Sequence, residues 1–141
     1  MQFFTTDHRS CDELWGAVEN AAQAKDAARA RTAWQQFDHA MRRHFAMEEE
    51  VLFPAFETRT GMVGGPTAVM REEHVQMRGV LDQMAGAAAG DDWNGVVDLG
   101  DTLLMLIQQH NVKEEGILYP MAEQMLAGDW DDLWTRLAGY A

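Results

Sequence analysis

"HFAMEEEVLFP" (His44–Pro54) and "HNVKEEGILYP" (His110–Pro120) follow one pattern. Each reads His, three residues, two glutamates, two residues, Leu, an aromatic residue and Pro, and the two are offset by 66 residues (110 − 44). In both, the histidine and the first glutamate are four apart, one helical turn, so their side chains leave the same face. That face is the apolar one: Phe37, Met41 and Val51 share it in the first copy, Leu103, Ile107 and Ile117 in the second. A carboxylate carried into an apolar core without a partner costs several kcal/mol. No Lys or Arg stands on either stripe near Glu48 or Glu114. A solvated charged face does not explain this pattern, whereas divalent cations between the stripes do.

The offset reaches beyond the two stretches. His8 and His74 are also 66 apart, each preceded by an acid, Asp7 and Glu73. Leu14 matches Val80, Val18 matches Met84, Phe37 matches Leu103 and Met41 matches Ile107 in kind. The chain therefore reads as two related helical hairpins. The midpoint of His8 and His44 falls at residue 26, in "AKDA", where Asp26 can cap a helix. That of His74 and His110 falls at 92, in "GDDWNG". Each hairpin then brings two histidines to one level from facing helices.

Four stripes at helical period build the bundle. The first, after a cap at Thr5 or Thr6, is His8, Cys11, Trp15, Val18, Ala22. The second is Trp34, Phe37, Met41, His44, Glu48, Val51, Ala55, ended by "TGMVGGP". The third, opened by Pro66, is Met70, His74, Met77, Leu81, Met84, Ala88. The fourth is Val96, Leu99, Leu103, Ile107, His110, Glu114, Ile117, Met121. Steps alternating three and four residues are the seam of an antiparallel bundle. The expected fold is all-α, an up-down-up-down four-helix bundle over about residues 5–125 with a short helix at about 129–140. That last helix is capped by Asp129 and carries Trp130, Leu133, Trp134 and Leu137 on one side, to close the bundle or meet a second copy. Pro54 and Pro120 predict kinks or helix ends.

The 141 residues suit one domain, and 47% apolar residues suffice for its core. Eleven basic against 23 acidic residues give −12, which disfavours nucleic acid and anionic membranes as partners. A single cysteine, Cys11, excludes an intrachain disulfide. No run of 18 apolar residues spans a membrane, and "MQFFTTDHRS" has no signal-peptide character, so a cytoplasmic protein is expected.

Mixed imidazole and carboxylate donors suit iron, with manganese or zinc as substitutes, better than calcium or copper(I). Zinc more usually takes a closed four-ligand site. His8, His44, Glu48, His74, His110 and Glu114 are the expected metal ligands, two glutamates bridging and two histidines on each ion. His39 lies five before His44, about 140° round the helix, and is left out. Cys11 reads as core, like its counterpart Met77. Glu49 and Glu115 either support the ligands or are solvated.

These residues resemble the hemerythrin-like, HHE cation-binding domains, whose pattern is a first-helix histidine, His-x-x-x-Glu, a third-helix histidine and a second His-x-x-x-Glu. The resemblance spans about residues 3–125. It implies a non-haem di-iron site with bridging glutamates and an oxygen bridge. One departure stands out. Oxygen-carrying hemerythrins have another histidine one turn after the third-helix histidine, where this chain has Arg78. The equivalent position after His8 is Asp12, which either pairs with Arg78 or reaches a metal.

Four imidazole nitrogens, four carboxylate oxygens and the bridge leave an open position on each six-coordinate iron. The expected function is binding or sensing of dioxygen or nitric oxide. The resemblance also allows an iron donor or iron–sulfur repair protein, or a peroxide or nitric oxide reductase, so enzyme activity stays open. Sensing or iron transfer would call for a protein partner. The sequence does not decide between monomer and dimer.

Overall fold

The computed structural model describes residues 2–141. Four rods run antiparallel: α1 (Gln2–Gln23), α2 (Ala27–Met47) continued by α3 (Phe53–Thr60), α4 (Pro66–Ala89), and α5 (Trp93–Lys113) continued by α6 (Tyr119–Met125). A short helix, α7 (Trp130–Leu137), packs across one end. This is the expected all-α bundle, and no strand occurs among the described residues.

The 66-residue repeat governs the backbone as well as the ligand pattern. Lys25 and Asp91, 66 apart, both take the left-handed conformation, at φ 55° and 53°. The next residue caps the following helix in each case: Asp26 accepts from the Arg29 N–H at 3.1 Å, Asp92 from the Gly95 N–H at 3.0 Å. Gly61, at φ 72°, ends α3, and Pro66 opens α4 as expected.

Three expectations need correction. The first helix does not wait for a cap at Thr5 or Thr6. It already includes Gln2, because Phe4 is fully buried against Met47, Phe53 and Tyr119 and draws the helix upstream. Asp129 makes no side-chain cap to α7. Pro54 and Pro120 do not end their rods, which continue as α3 and α6. Each follows a single π-helical turn, Glu48–Leu52 and Glu114–Leu118, in which the Phe53 N–H reaches the Glu48 carbonyl and the Tyr119 N–H reaches Glu114. Such a turn takes one extra residue, so the buried stripe steps forward by one. Phe56 replaces Ala55 in the core, and Leu118 and Ala122 replace Ile117 and Met121. The proline ring then falls where the wide turn has already displaced the ladder. Side chains occupy two carbonyls that the turn and Pro54 release: Arg71 donates to Glu49 O and Arg136 to Glu50 O, both at 3.3 Å.

Two clusters make the core. One, around Trp15, Phe37, Leu81 and Leu103, fills the bundle toward the hairpin turns. The other, around Phe4, Phe53, Phe56 and Leu118, receives Leu133 and Leu137 of α7. No described helix is long and apolar enough to cross a membrane.

Candidate metal centre

Between the two apolar clusters lies a layer of buried polar groups. His8, His44, His74, His110, Glu48 and Glu114 all lose nearly all their solvent exposure. α1 and α4 each present one histidine there. α2 and α5 each present a histidine and, where the π-turn begins, a glutamate one turn on.

Their donor atoms converge in two groups, each within 4.8 Å: His8, His44 and Glu114, and Glu48, His74, His110 and Glu114. Glu48 Oε1 lies 3.1 Å from His44 Nε2 and 3.3 Å from His74 Nε2. Glu114 Oε1 lies 3.0 Å from His110 Nε2 and 3.1 Å from His8 Nε2. Each glutamate thus stands between one histidine of its own hairpin and one of the other.

All four rings are turned the same way. Nδ1 faces outward to a carboxylate and Nε2 faces inward. Glu115 holds His8 at 2.8 Å, Asp7 holds His44 at 2.7 Å, Glu49 holds His74 at 2.6 Å and Glu73 holds His110 at 2.8 Å. A carboxylate on Nδ1 fixes the tautomer, so that Nε2 offers its lone pair to the interior. Glu49 and Glu115 therefore support the ring positions rather than standing solvated. Asp7 and Glu73 do the same, a role that spacing along the chain did not reveal.

The inward atoms are poorly served by the protein itself. Nε2 of His44, His74 and His110, with Glu48 Oε1 and Glu114 Oε2, are buried without a hydrogen bond; the close contacts among them lack the alignment for one. Orphaned buried atoms of this kind are rare, and a set of them facing one point is a donor set for a cation. Burial opposes the charged imidazolium of His44, but Glu48, Asp7 and Glu114 outweigh it and push its pKa up to about 10. His110 is raised for like reasons. Burial works against Glu48 too, yet the neighbouring His44, with His74 in close contact, holds it well below the usual carboxylate range.

A seventh group reaches the layer. The Tyr119 hydroxyl donates to Glu48 Oε2 at 2.8 Å and lies 3.1 Å from both Glu114 Oε1 and His8 Nε2. Burial, then the neighbouring glutamates, raises its pKa well above the ordinary phenol value. Its counterpart in the other half, Phe53, stacks on His74 instead. Only the difference between the two "Leu-(Phe/Tyr)-Pro" tails carried that signal.

Other candidates lie elsewhere. Arg78 pairs with Glu49 at 2.6 Å and covers the Phe45 ring at 5.2 Å, so it does not pair with Asp12. Asp12 belongs to neither donor group, and burial raises its carboxyl. Cys11 is core, its thiol pushed up to about 12 mainly by burial. His39 is exposed and donates to the Ala141 carbonyl at 2.9 Å.

The family model of the hemerythrin HHE cation-binding domain matches residues 1–122. No curated protein and no solved structure matches the chain.

Proposed function

The chain belongs to the hemerythrin HHE cation-binding family, and from that premise we propose that it holds two iron ions and takes up dioxygen or nitric oxide. His8 and His44 would serve one ion, His74 and His110 the other, with Glu48 and Glu114 shared. The orphaned Nε2 and carboxylate atoms carry this reading. The two donor groups, which overlap at Glu114, support two ions rather than one. Nitrogen and oxygen donors in equal measure favour iron.

Bound ferrous iron supplies electrons and open coordination positions for a small diatomic ligand. The chain's residues do the remaining work. Asp7, Glu49, Glu73 and Glu115 orient the imidazoles. Phe4, Phe45, Phe53 and Met77 exclude water, and a dry surround slows proton-dependent side reactions. The Tyr119 hydroxyl keeps its own proton and donates it in a hydrogen bond to Glu48 Oε2. The same reading takes residues 1–141 as one domain, because α7 completes the core that covers this layer.

The test is metal analysis with an anaerobic absorption spectrum, before and after dioxygen or nitric oxide. Two irons per chain and a reversible new band are expected. A chain that binds zinc alone, or reduced iron protein whose spectrum neither gas changes, would overturn the proposal.

A further inference from the structure

The repeat makes the two long seams of the bundle directly comparable, and they are closed differently. On the α2–α4 seam, arginines bridge the gap. Arg78 pairs with Glu49 at 2.6 Å, and Arg42 links Asp38 at 2.9 Å to Asp82 at 2.8 Å. At the positions 66 residues away, the α1–α5 seam has Asp12 for Arg78, Gln108 for Arg42, Gly16 for Asp82 and Leu104 for Asp38. None of these can reproduce the arginine bridges. A groove of about 510 Å³ runs there, past Asp12, Trp15, Leu104 and Asn111 to His8 and Glu115.

Two small internal cavities, about 10 Å³ each, lie behind the groove. One touches His8, His44 and His110 and is otherwise walled mainly by Met41, Phe45 and Met77. The other lies between Cys11, Trp15, Phe37 and Leu103. Such a volume is close to the minimum for one water-sized molecule, so a diatomic gas, being longer, needs a small outward shift of the flexible Met41 and Met77 side chains. Ile107 is the one residue that lines the groove and both cavities.

We propose that the α1–α5 seam is the entry route for the diatomic ligand, and that the Ile107 side chain is the gate between the groove and the cavity at the histidines. This rests on the gas-binding reading above. The β-branch holds Ile107 near one χ1 rotamer in a helix, so the swing falls to its terminal methyl. Side-chain motions of that kind take picoseconds to nanoseconds, fast enough to admit a neutral gas without opening the bundle. Apart from the histidines, Asn111 and Asp12 the inner walls are apolar, so ions and their hydration shells stay outside.

Stopped-flow mixing of the diferrous protein with nitric oxide measures entry. Ile107→Trp fills the passage and should slow association about tenfold, about 1.4 kcal/mol of barrier. Ile107→Ala should speed it. Iron per chain should be unchanged in both. A second readout needs no iron. In metal-free protein with labelled methionine methyls, dissolved dioxygen should relax Met41 and Met77, which line the inner cavity, more strongly than Met84, buried to a similar degree elsewhere. Ile107→Trp should remove that difference. Association rates within about twofold of wild type in both variants, or Met41 and Met77 relaxed no more than Met84, would overturn the route. If wild-type iron protein takes up no gas, the gas-binding reading fails instead, and the methyl measurement still decides the route.

Discussion

A histidine that must offer Nε2 to the interior needs its Nδ1 proton occupied, and here four carboxylates do that from behind. Glu49 is engaged twice. It accepts from His74 and from Arg78, both at 2.6 Å, and although burial works against its charge these partners hold its pKa below the usual range. Glu49→Ala should therefore weaken metal binding by about 10–100-fold, the usual cost of losing such a support. Exposed Glu72→Ala should not. Competition with a coloured chelator measures both, and equal affinities would mean that His74 is positioned by packing alone. Tyr119→Phe tests the other polar contact. A buried hydrogen bond to a charged group is worth about 1.5–3 kcal/mol, so metal-free Tyr119→Phe should lose about that much in urea unfolding. The ligand-type residues were legible because i, i+4 spacing on an apolar face is a local property. Asp7, Glu73 and Tyr119 were not, because their contacts join different helices or depend on how far a rod has turned.

At the scale of the elements, the four rods and both hairpin turns could be read from stripes, from Asp26 and Asp92, and from Gly61 and Pro66. The π-turns could not, since no residue type marks them. A trace was present: Val51, Leu52 and Phe53 are consecutive and all buried, which a regular α-helix with one buried stripe does not readily achieve. The straight extrapolation to Ala55, Ile117 and Met121 failed for that reason. Deleting Gly116, an exposed residue within the second π-turn, should return that rod to α-helical register. Leu118, Tyr119 and Ala122 would then stand three, four and seven places after Glu114 and keep the face they share with it. Only the wide turn is lost, so the deletion should change the melting temperature of metal-free protein little. Inserting a second residue beside Gly116 turns the same side chains by about 100° off the core and should lower it sharply, since a large buried side chain contributes about 1.5–3 kcal/mol. Circular dichroism melting separates the two; a deletion as damaging as the insertion would show that the wide turn is not one extra residue in an α-helical rod.

Across the whole molecule, metal and protons compete for the same imidazoles. Without metal, the neighbouring Glu48 and Asp7 carboxylates outweigh burial and raise the folded-state pKa of His44 from the ordinary imidazole value of about 6.5 to about 10. A raised imidazole stabilises the fold fully below the unfolded value and loses that contribution as pH climbs through the folded value. Metal needs the unprotonated nitrogen, so its affinity rises over the same interval. The gap in melting temperature between metal-loaded and chelator-treated protein should therefore widen between about pH 6.5 and 9 and nearly close near pH 5. Calorimetry at those three pH values checks it. A gap independent of pH would argue against imidazole ligation.

The orienting acids also cross between the halves. Glu115 of the second half holds His8 of the first, and Glu49 of the first holds His74 of the second. Neither hairpin is self-sufficient: each lends the other a clamp it cannot supply for itself. Such reciprocity is that of a symmetric dimer whose subunits have been joined end to end, with residues 61–65 as the splice. A chain cut between Gly64 and Gly65 should accordingly behave as two complementary fragments that retain metal when mixed and lose it when parted, which size-exclusion chromatography with metal detection would reveal.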